Sequence, residues 1–278
     1  MILVTGATGN LGTAVLSSLR RRGATATGSS SRLLPGMRQL DFDQPEDLDL
    51  RAVQTLVLVS AGYAEDDTVI ARHRAVIDGA VRDGVEHVVY TSLTAAGDHL
   101  GFALAHRVTE RHLARSGLRW TVLRNGLYAE LFGALLTWGP GGLESAFGTG
   151  ALAAVARDDL AEAAAVVAVA AHDHVGRTYD LVGRPIAAGD VAARLGVPHQ
   201  SISLSEYRGR LLEAAGLLPF QPSMLVSIAS AVRHDLLCAG GDDLARLLGR
   251  QGSDPLDVAV AVTDSTRRDY SAVAASRS

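Results

Sequence analysis

The chain has 278 residues, enough to bury a substantial core in one large domain or two intimate ones. Hydrophobic residues make up 47% and charged residues 20%, which excludes an intrinsically disordered chain. A formal net charge of −4 gives no electrostatic reason to expect nucleic acid or an anionic membrane as partner, and the single cysteine, Cys238, excludes an internal disulfide and a cysteine metal cluster.

Ile2, Leu3 and Val4 form a short apolar run of the kind that becomes a buried parallel strand. Gly6, Gly9 and Gly12 follow at a three-residue spacing, and a helix begins at Ala14, Val15 and Leu16 and ends in Arg20, Arg21, Arg22 and Gly23. Strand, glycine turn and helix in that order point to dinucleotide binding rather than to a plain turn. Gly6 lets the chain turn sharply, Gly9 lets backbone approach a pyrophosphate, and Gly12 lets helix pack close to strand. The helix start offers unpaired N–H groups and the positive end of a dipole to the anion.

Beyond this unit, 24–28 reads as a weak second strand, 38–42 as a third and 44–53 as a short helical segment. The apolar run 55–60 predicts a fourth strand. Helical periodicity over 67–84 places Val69, Ile70, Val76, Ile77 and Val81 on or near one face. A fifth strand follows at 87–92, a helix at 104–116 and a sixth strand at 118–123. The alternation predicts an α/β fold, a Rossmann-like doubly wound parallel sheet covered on both faces. From about Tyr128 the pattern loosens: a helix at 131–136, a glycine-rich loop at 138–150, and a helix at 158–171 with Asp158 or Asp159 near its start. A strand at 178–182, a helix at 188–195 and a strand at 201–204 come next, then a helix over 205–215 with Ser205 as its cap. Helices at 222–237, 242–248 and 255–262 precede a polar tail, 264–278, expected to fray. The resulting division is a Rossmann-like NAD(P)-binding core, 1–128, and a smaller substrate-covering α/β lobe, 129–278, with interweaving of the two left open.

Charge decides between the two nicotinamide dinucleotides. NAD enzymes place an acid at the end of the second strand to hold the ribose 2′-hydroxyl. Here the first forty residues contain no Asp or Glu, and the second strand runs into Ser29-Ser-Ser-Arg32. Ser31 and Arg32 suit a 2′-phosphate, which arginine can grip with two parallel bonds. A solvated loop arginine is the alternative. NADPH is the expected cofactor. The sequence also contains no lysine, so no Schiff base can form and no lysine can assist a catalytic tyrosine.

Thr5-Gly-Ala-Thr-Gly-Asn-Leu-Gly12, His73-Arg-Ala-Val-Ile-Asp-Gly-Ala80 and Gly84-Val-Glu-His-Val-Val-Tyr-Thr-Ser92 stand in order along the chain. Ser116-Gly-Leu-Arg-Trp-Thr-Val-Leu-Arg-Asn-Gly-Leu-Tyr128, Arg157-Asp-Asp-Leu-Ala-Glu-Ala-Ala164 and Tyr179-Asp-Leu-Val-Gly183 follow. The set resembles the NmrA-like atypical short-chain dehydrogenases, and within them the bacterial NAD(P)H:quinone oxidoreductase branch. The resemblance implies a cleft between core and lobe for nicotinamide and a quinone-like small molecule, no flavin, no metal, and a homodimer as a plausible assembly. It carries Gly6, Ala7, Thr8, Gly9, Asn10 and Leu11 to the pyrophosphate, Asp41 and Phe42 to the adenine, and Ser60 and Ala61 to the nicotinamide ribose. Asn125 and Tyr128 fall where family members line the substrate pocket. Asp41 also reads as a turn or cap acid before Gln44, and Tyr128 as a ring packed under the second lobe.

Ordinary short-chain dehydrogenases carry Tyr-x-x-x-Lys on the helix after the fifth strand, the tyrosine protonating the substrate oxygen. Counting back from Glu110, that pattern falls on Phe102 and His106. The quinone reductase branch shares this departure. His106 is the candidate to orient an acceptor or stabilise charge on its oxygen, with Thr91 and Ser92 in a secondary role. Each has a structural alternative: a helix-surface pair of His106 with Glu110, and capping by Thr91 and Ser92. Two functions follow: an NADPH-dependent oxidoreductase transferring hydride to a quinone or similar electron-poor acceptor, or an NADP(H)-sensing regulator that acts through a protein partner without turnover. There is no Gly-x-Ser-x-Gly elbow, and His172-x-His174 lacks further ligands for a metal. An opening apolar run that stops at Gly6 is too short for a signal peptide, the run 163–171 is too short to span a bilayer, and a reducing cytoplasm is the expected compartment.

Overall fold

A computed structural model describes residues 1–61 and 64–267. The first half alternates as read: β1 (Ile2–Val4), α1 (Asn10–Arg21), β2 (Ala26–Ser30), β3 (Met37–Gln39), β4 (Thr55–Val59), α2 (Asp66–Arg82), β5 (His87–Leu93), α3 (Ala103–Arg115) and β6 (Arg119–Asn125). The second half contains α4 (Ala129–Ala134), β7 (Thr137–Gly139), β8 (Gly142–Ser145), β9 (Ala151–Ala153), α5 (Arg157–Val169), β10 (Arg177–Leu181) and β11 (Pro185–Ala187). It ends in α6 (Ala188–Leu195), β12 (His199–Ser201), α7 (Leu204–Glu213), α8 (Gln221–Arg233), α9 (Asp243–Leu248) and α10 (Pro255–Ser265).

Seven parallel strands form the central sheet in the order β10-β6-β5-β4-β1-β2-β3. Strand order reverses at β1, between β2 and β4, which opens a crevice at the carboxyl ends of those strands. Side-chain alternation divides the core. Val4, Val57, Val89 and Leu123 face α1 and α5, whereas Leu3, Leu58, Tyr90 and Val122 face α2 and α3. A third cluster fills the second half, where Phe132 stacks on Phe147 with centroids 5.0 Å apart and α4, α8 and α10 close around them. The two halves interlock. From the second half, β10 pairs with β6 and α5 packs on the α1 face of the sheet. No helix among the described residues is long and apolar enough to cross a membrane.

Several local expectations are corrected. The segment 44–53 holds one short 3-10 turn, Pro45–Asp47, not a helix, and Ala52 adopts a φ of 64°, which ends helical continuation. The glycine-rich 138–150 stretch contains a hairpin: β7 and β8 pair antiparallel around a Gly-Pro-Gly-Gly tip, with Gly142 at a φ of 127°. Strands this short leave too few positions to show alternation. Ser203, not Ser205, caps α7, its hydroxyl accepting the Glu206 N–H at 3.0 Å. Helix α10 runs to Ser265, and the tail expected to fray lies, from 268 onward, outside the described residues.

The tightest backbone approach in the nucleotide-binding unit lies between α1 and the β1 turn. A Cβ at Gly12 would be driven into the Gly6 carbonyl, whereas one at Gly9 would lie 3.3 Å from the same oxygen. Gly9 also has an extended φ of −87°, open to any residue. Gly12→Ala is therefore expected to lower unfolding free energy by about 1–3 kcal/mol, and Gly9→Ala by less than half as much, in urea denaturation.

Candidate active site

Thr5 sets the geometry of the crevice. Its hydroxyl accepts the Val59 N–H at 2.9 Å and donates to the Val59 carbonyl at 3.3 Å, clamping the end of β1 to the end of β4. The chain then turns at Gly6, with a φ of 59° that glycine adopts without strain, and the Ala7 N–H donates to the Ser29 carbonyl at 3.1 Å. Helix α1 starts at Asn10 with no side-chain cap and no acid in its first turn. Its first N–H groups have no intrahelical partner, which makes this end an anion site. The glycine approach and the uncapped helix fit a pyrophosphate.

At the end of β2 the Ser30 hydroxyl accepts the Arg32 N–H at 3.1 Å, which sets the backbone at the turn. The Arg32 side chain is exposed and forms no ion pair among the described residues. Exposed Ser31 accepts the Gln39 amide on its carbonyl at 3.2 Å, which leaves its hydroxyl open. The Asp41 carboxylate takes the Asp43 N–H at 3.1 Å, a local turn, and Phe42 packs on the core beside α2.

A cavity of about 870 Å³ opens at the carboxyl ends of β4, β5 and β6, bounded by α3 and by the start of α8. Ser60, Thr91, Ser92, Asn125, Tyr128 and His106 all line it. Their polar groups differ in what they can still do. Thr91 accepts the Ser60 N–H at 3.1 Å and donates to the Leu58 carbonyl at 3.5 Å. Ser92 donates to Glu110 at 2.6 Å, and Glu110 is also gripped by Arg107 at 2.7 Å and by Arg124 at 2.7 Å. Both hydroxyls thus make bonds within the protein, Ser92 to α3 and Thr91 to the end of β4. Asn125 is buried with no partner for its Oδ1 among the described residues. Tyr128 leads into α4, and Arg157 sits over its ring at 5.1 Å.

His106 turns away from Glu110 and into the cavity, so the two residues do not form the surface pair that their spacing allows. Its Nδ1 meets the Tyr90 hydroxyl at 2.9 Å. Tyr90 is fully buried, and burial raises its phenol well above the ordinary value, so the group stays protonated. Burial lowers the His106 imidazole from 6.5 to about 4. A neutral ring that accepts at Nδ1 carries its proton on Nε2. The cavity is therefore lined by a neutral imidazole whose Nδ1 is held from behind by the Tyr90 hydroxyl.

Tyr90 was not among the candidates from sequence, nor was His73. The signals were present. Tyr90 follows the apolar pair Val88 and Val89 in β5, two positions before Ser92, and His73 falls within the apolar stripe of α2 between Val69 and Ile77. His73 is fully buried, its Nε2 accepting the Ala61 N–H at 2.9 Å and its Nδ1 donating to Thr109 at 2.9 Å. Thr109 passes its own proton to the Ala105 carbonyl at 2.7 Å. The chain of bonds ties the backbone after β4 to α2 and α3. Among the described residues no cluster of three or more His, Cys, Asp or Glu could hold a metal ion.

No family model matches the chain. Quinone oxidoreductase 2 of Escherichia coli (strain K12) is 32% identical over 276 residues, spanning 90% of this chain and 94% of that protein. An NmrA-like family domain-containing oxidoreductase of Aspergillus flavus is 32% identical over 157 residues, half of each protein. The chain belongs to the NmrA-like atypical short-chain dehydrogenase family. Solved structures of the family agree in fold. Citrobacter sp. triphenylmethane reductase complexed with NADP(H) matches with a TM-score of 0.83 at 26% identity, over 94% of this chain and 99% of that one. The NADPH-dependent quinone oxidoreductase of Escherichia coli complexed with NADPH matches with a TM-score of 0.81 at 29% identity, over 94% and 99%.

The buried histidines make stability pH-dependent. Burial takes His73 from 6.5 to about 3 in the folded protein, with His106 adding a smaller effect. Above the unfolded-state value both states are neutral and the stability is fully present. Below it the unfolded chain binds a proton that the folded chain refuses, so stability falls as pH drops from 6.5 towards about 3. The slope is about 1.4 kcal/mol per pH unit for one such group. Urea unfolding followed from neutral pH into this window is expected to show a slope smaller by that amount in His73→Gln. An unchanged slope would show that His73 titrates normally.

Proposed function

We propose that this protein is an NADPH-dependent oxidoreductase that reduces a quinone or similar electron-poor acceptor bound in the cavity. The observation that carries the reading is the neutral His106 imidazole, held by buried Tyr90 and facing a largely apolar cavity beside a dinucleotide-type glycine turn. Its support from similarity is that relatives spanning almost the whole chain are named quinone oxidoreductases and are complexed with NADPH. Nucleotide sensing alone would not call for an oriented donor facing a second compartment. The single cysteine suits a reducing cytoplasm.

The residues assigned to the cofactor are Gly6 to Gly12 at the pyrophosphate, Ser31 and Arg32 at the 2′-phosphate, Asp41 and Phe42 at the adenine, and Ser60 and Ala61 at the nicotinamide ribose. Asn125 and Tyr128 face the acceptor. When bound, NADPH supplies two electrons and one proton from nicotinamide C4. Net, one quinone, one NADPH and one proton give one hydroquinone and one NADP⁺. No flavin or metal is required. A quinone is already a strong electrophile and its reduced anion is a weak base, so the reaction asks for positioning and a hydrogen bond more than for a strong buried acid. Phe102 cannot donate a proton and the chain has no lysine, which suits this acceptor and not a ketone. His106 Nε2–H would meet the developing negative charge on the acceptor oxygen. Tyr90 is a positioning residue that fixes the tautomer. Thr91 and Ser92 act only by shaping the strand ends.

Anaerobic NADPH oxidation with a panel of neutral quinones tests the reading; tight NADPH binding without turnover would instead favour a sensor. His106→Ala is expected to lower kcat by about tenfold, near the ~1.4 kcal/mol of one strong hydrogen bond, with NADPH affinity unchanged. Tyr90→Phe should lower kcat by a smaller factor and also leave NADPH affinity unchanged. A folded His106→Ala protein with no turnover would make the residue an essential acid. Calorimetric titration should show Arg32→Ala weakening NADPH by about tenfold and NADH hardly at all. Equal affinity of the unaltered protein for both would contradict the assignment.

A further inference from the structure

Three successive backbone N–H groups at the end of β4 donate to side chains. Val59 donates to Thr5 at 2.9 Å, Ser60 to Thr91 at 3.1 Å and Ala61 to His73 at 2.9 Å. The acceptors come from three different elements: the turn after β1, strand β5 and helix α2. Thr5 and Thr91 serve the strand end itself, whereas His73 reaches past it to Ala61. Ser60 lines the cavity, but His73 is fully buried and does not. A histidine is an exacting way to hold one N–H. Burial keeps the ring neutral, and a neutral ring accepts at only one of its nitrogens. Thr109 decides which. Its own proton goes to the Ala105 carbonyl, so towards His73 it can only accept, and it takes the Nδ1 proton. That leaves Nε2 as the acceptor. The His73 ring also packs edge-on against the Tyr90 ring, with centroids 5.4 Å apart. Tautomer and ring orientation are thus both set by β5 and α3, and the atom they set is the one that meets Ala61.

We propose that His73 is a positioning residue for hydride transfer, fixing through Nε2 the Ser60–Ala61 backbone on which the nicotinamide ribose rests. The proposal rests on the assignment of Ser60 and Ala61 to that ribose. Hydride transfer is sensitive to placement, because the reacting atoms must come within about 3–3.5 Å and a displacement of about 1 Å can cost about a hundredfold in rate. The glycine turn and the 2′-phosphate site hold the other end of the dinucleotide. A loosened ribose loop therefore shows in the chemical step far more than in cofactor affinity.

Two substitutions separate positioning from packing. In His73→Gln the amide oxygen stands as many bonds from Cα as Nε2 and accepts with no tautomer to set. In His73→Asn the amide reaches only as far as Nδ1, which keeps a donor for Thr109 and leaves the Ala61 N–H without its acceptor. Both remove the ring, so lost packing affects both. Single-turnover reduction of a neutral naphthoquinone by bound NADPH is expected to slow at least about tenfold in His73→Asn and to stay within about threefold of the unaltered rate in His73→Gln. The NADPH dissociation constant should stay within about threefold in both. Amide hydrogen exchange by NMR should show Ala61 protected in the unaltered protein and in His73→Gln, and exposed in His73→Asn. Thr109→Val, which frees the tautomer, should also slow hydride transfer, and should add little when combined with His73→Gln; this pair carries the test if His73→Asn does not fold. Equal slowing in Gln and Asn variants would reduce His73 to packing, and a full rate in His73→Asn would remove it from the reaction. Titration with NADP⁺ followed at the Ser60 and Ala61 amides checks the ribose assignment separately. Shifts there, with a full rate in His73→Asn, leave the assignment standing and overturn the role of His73. Shifts at the glycine turn but none at Ser60 and Ala61 would overturn the assignment, and the role with it.

Discussion

The contact between the start of α1 and the Gly6 carbonyl is the constraint on which the nucleotide end of the molecule depends. Only a residue without a Cβ fits at Gly12. That contact brings the uncapped helix terminus against the carboxyl end of β1, and the Thr5 clamp brings the end of β4 to the same place. The uncapped helix start and the strand end carrying Ser60 are thus positioned by one turn. Helix α5 shares the core on that face with α1, so the second half of the chain is anchored there too. The glycine turn and the second half of the chain are thus built on a common support.

Charge is managed differently on the two sides of α3. Glu110 gathers Arg107, Arg124 and the Ser92 hydroxyl outside the cavity, and Arg107 also reaches the Leu93 and Thr94 carbonyls at 2.9 Å. The planar guanidinium suits such multi-pronged bonding, and a chain whose basic groups are all arginine can tie strand ends in this way. Facing the cavity, the same helix presents a neutral imidazole backed by a neutral phenol.

The parts of this design legible in the sequence are those with strong local signals. The three glycines and the apolar runs 55–60 and 87–92 carry the sheet and the glycine turn. His106 was reached through its displacement of a lysine in a known pattern. What escaped depends on long-range packing. Tyr90 gains its role only when β5 and α3 pack so that its hydroxyl meets a ring 16 residues away. His73 reads as an isolated polar residue in an apolar stripe until the strand end after β4 reaches it. The same holds for the short β7–β8 hairpin and for β9 and β11, three residues each, which pairing partners define more than their own sequences do.

The central claim is that this cavity is where reducing equivalents pass directly from a bound nicotinamide to the acceptor. Turnover of a neutral naphthoquinone with NADPH deuterated stereospecifically at C4 tests it most directly. The account predicts slower turnover with deuterium at one of the two C4 positions and no slowing with deuterium at the other, since a nicotinamide held in one orientation would present a single face to the acceptor. Equal rates with both labels under conditions that isolate the chemical step, or NADPH that binds and is never consumed, would contradict it.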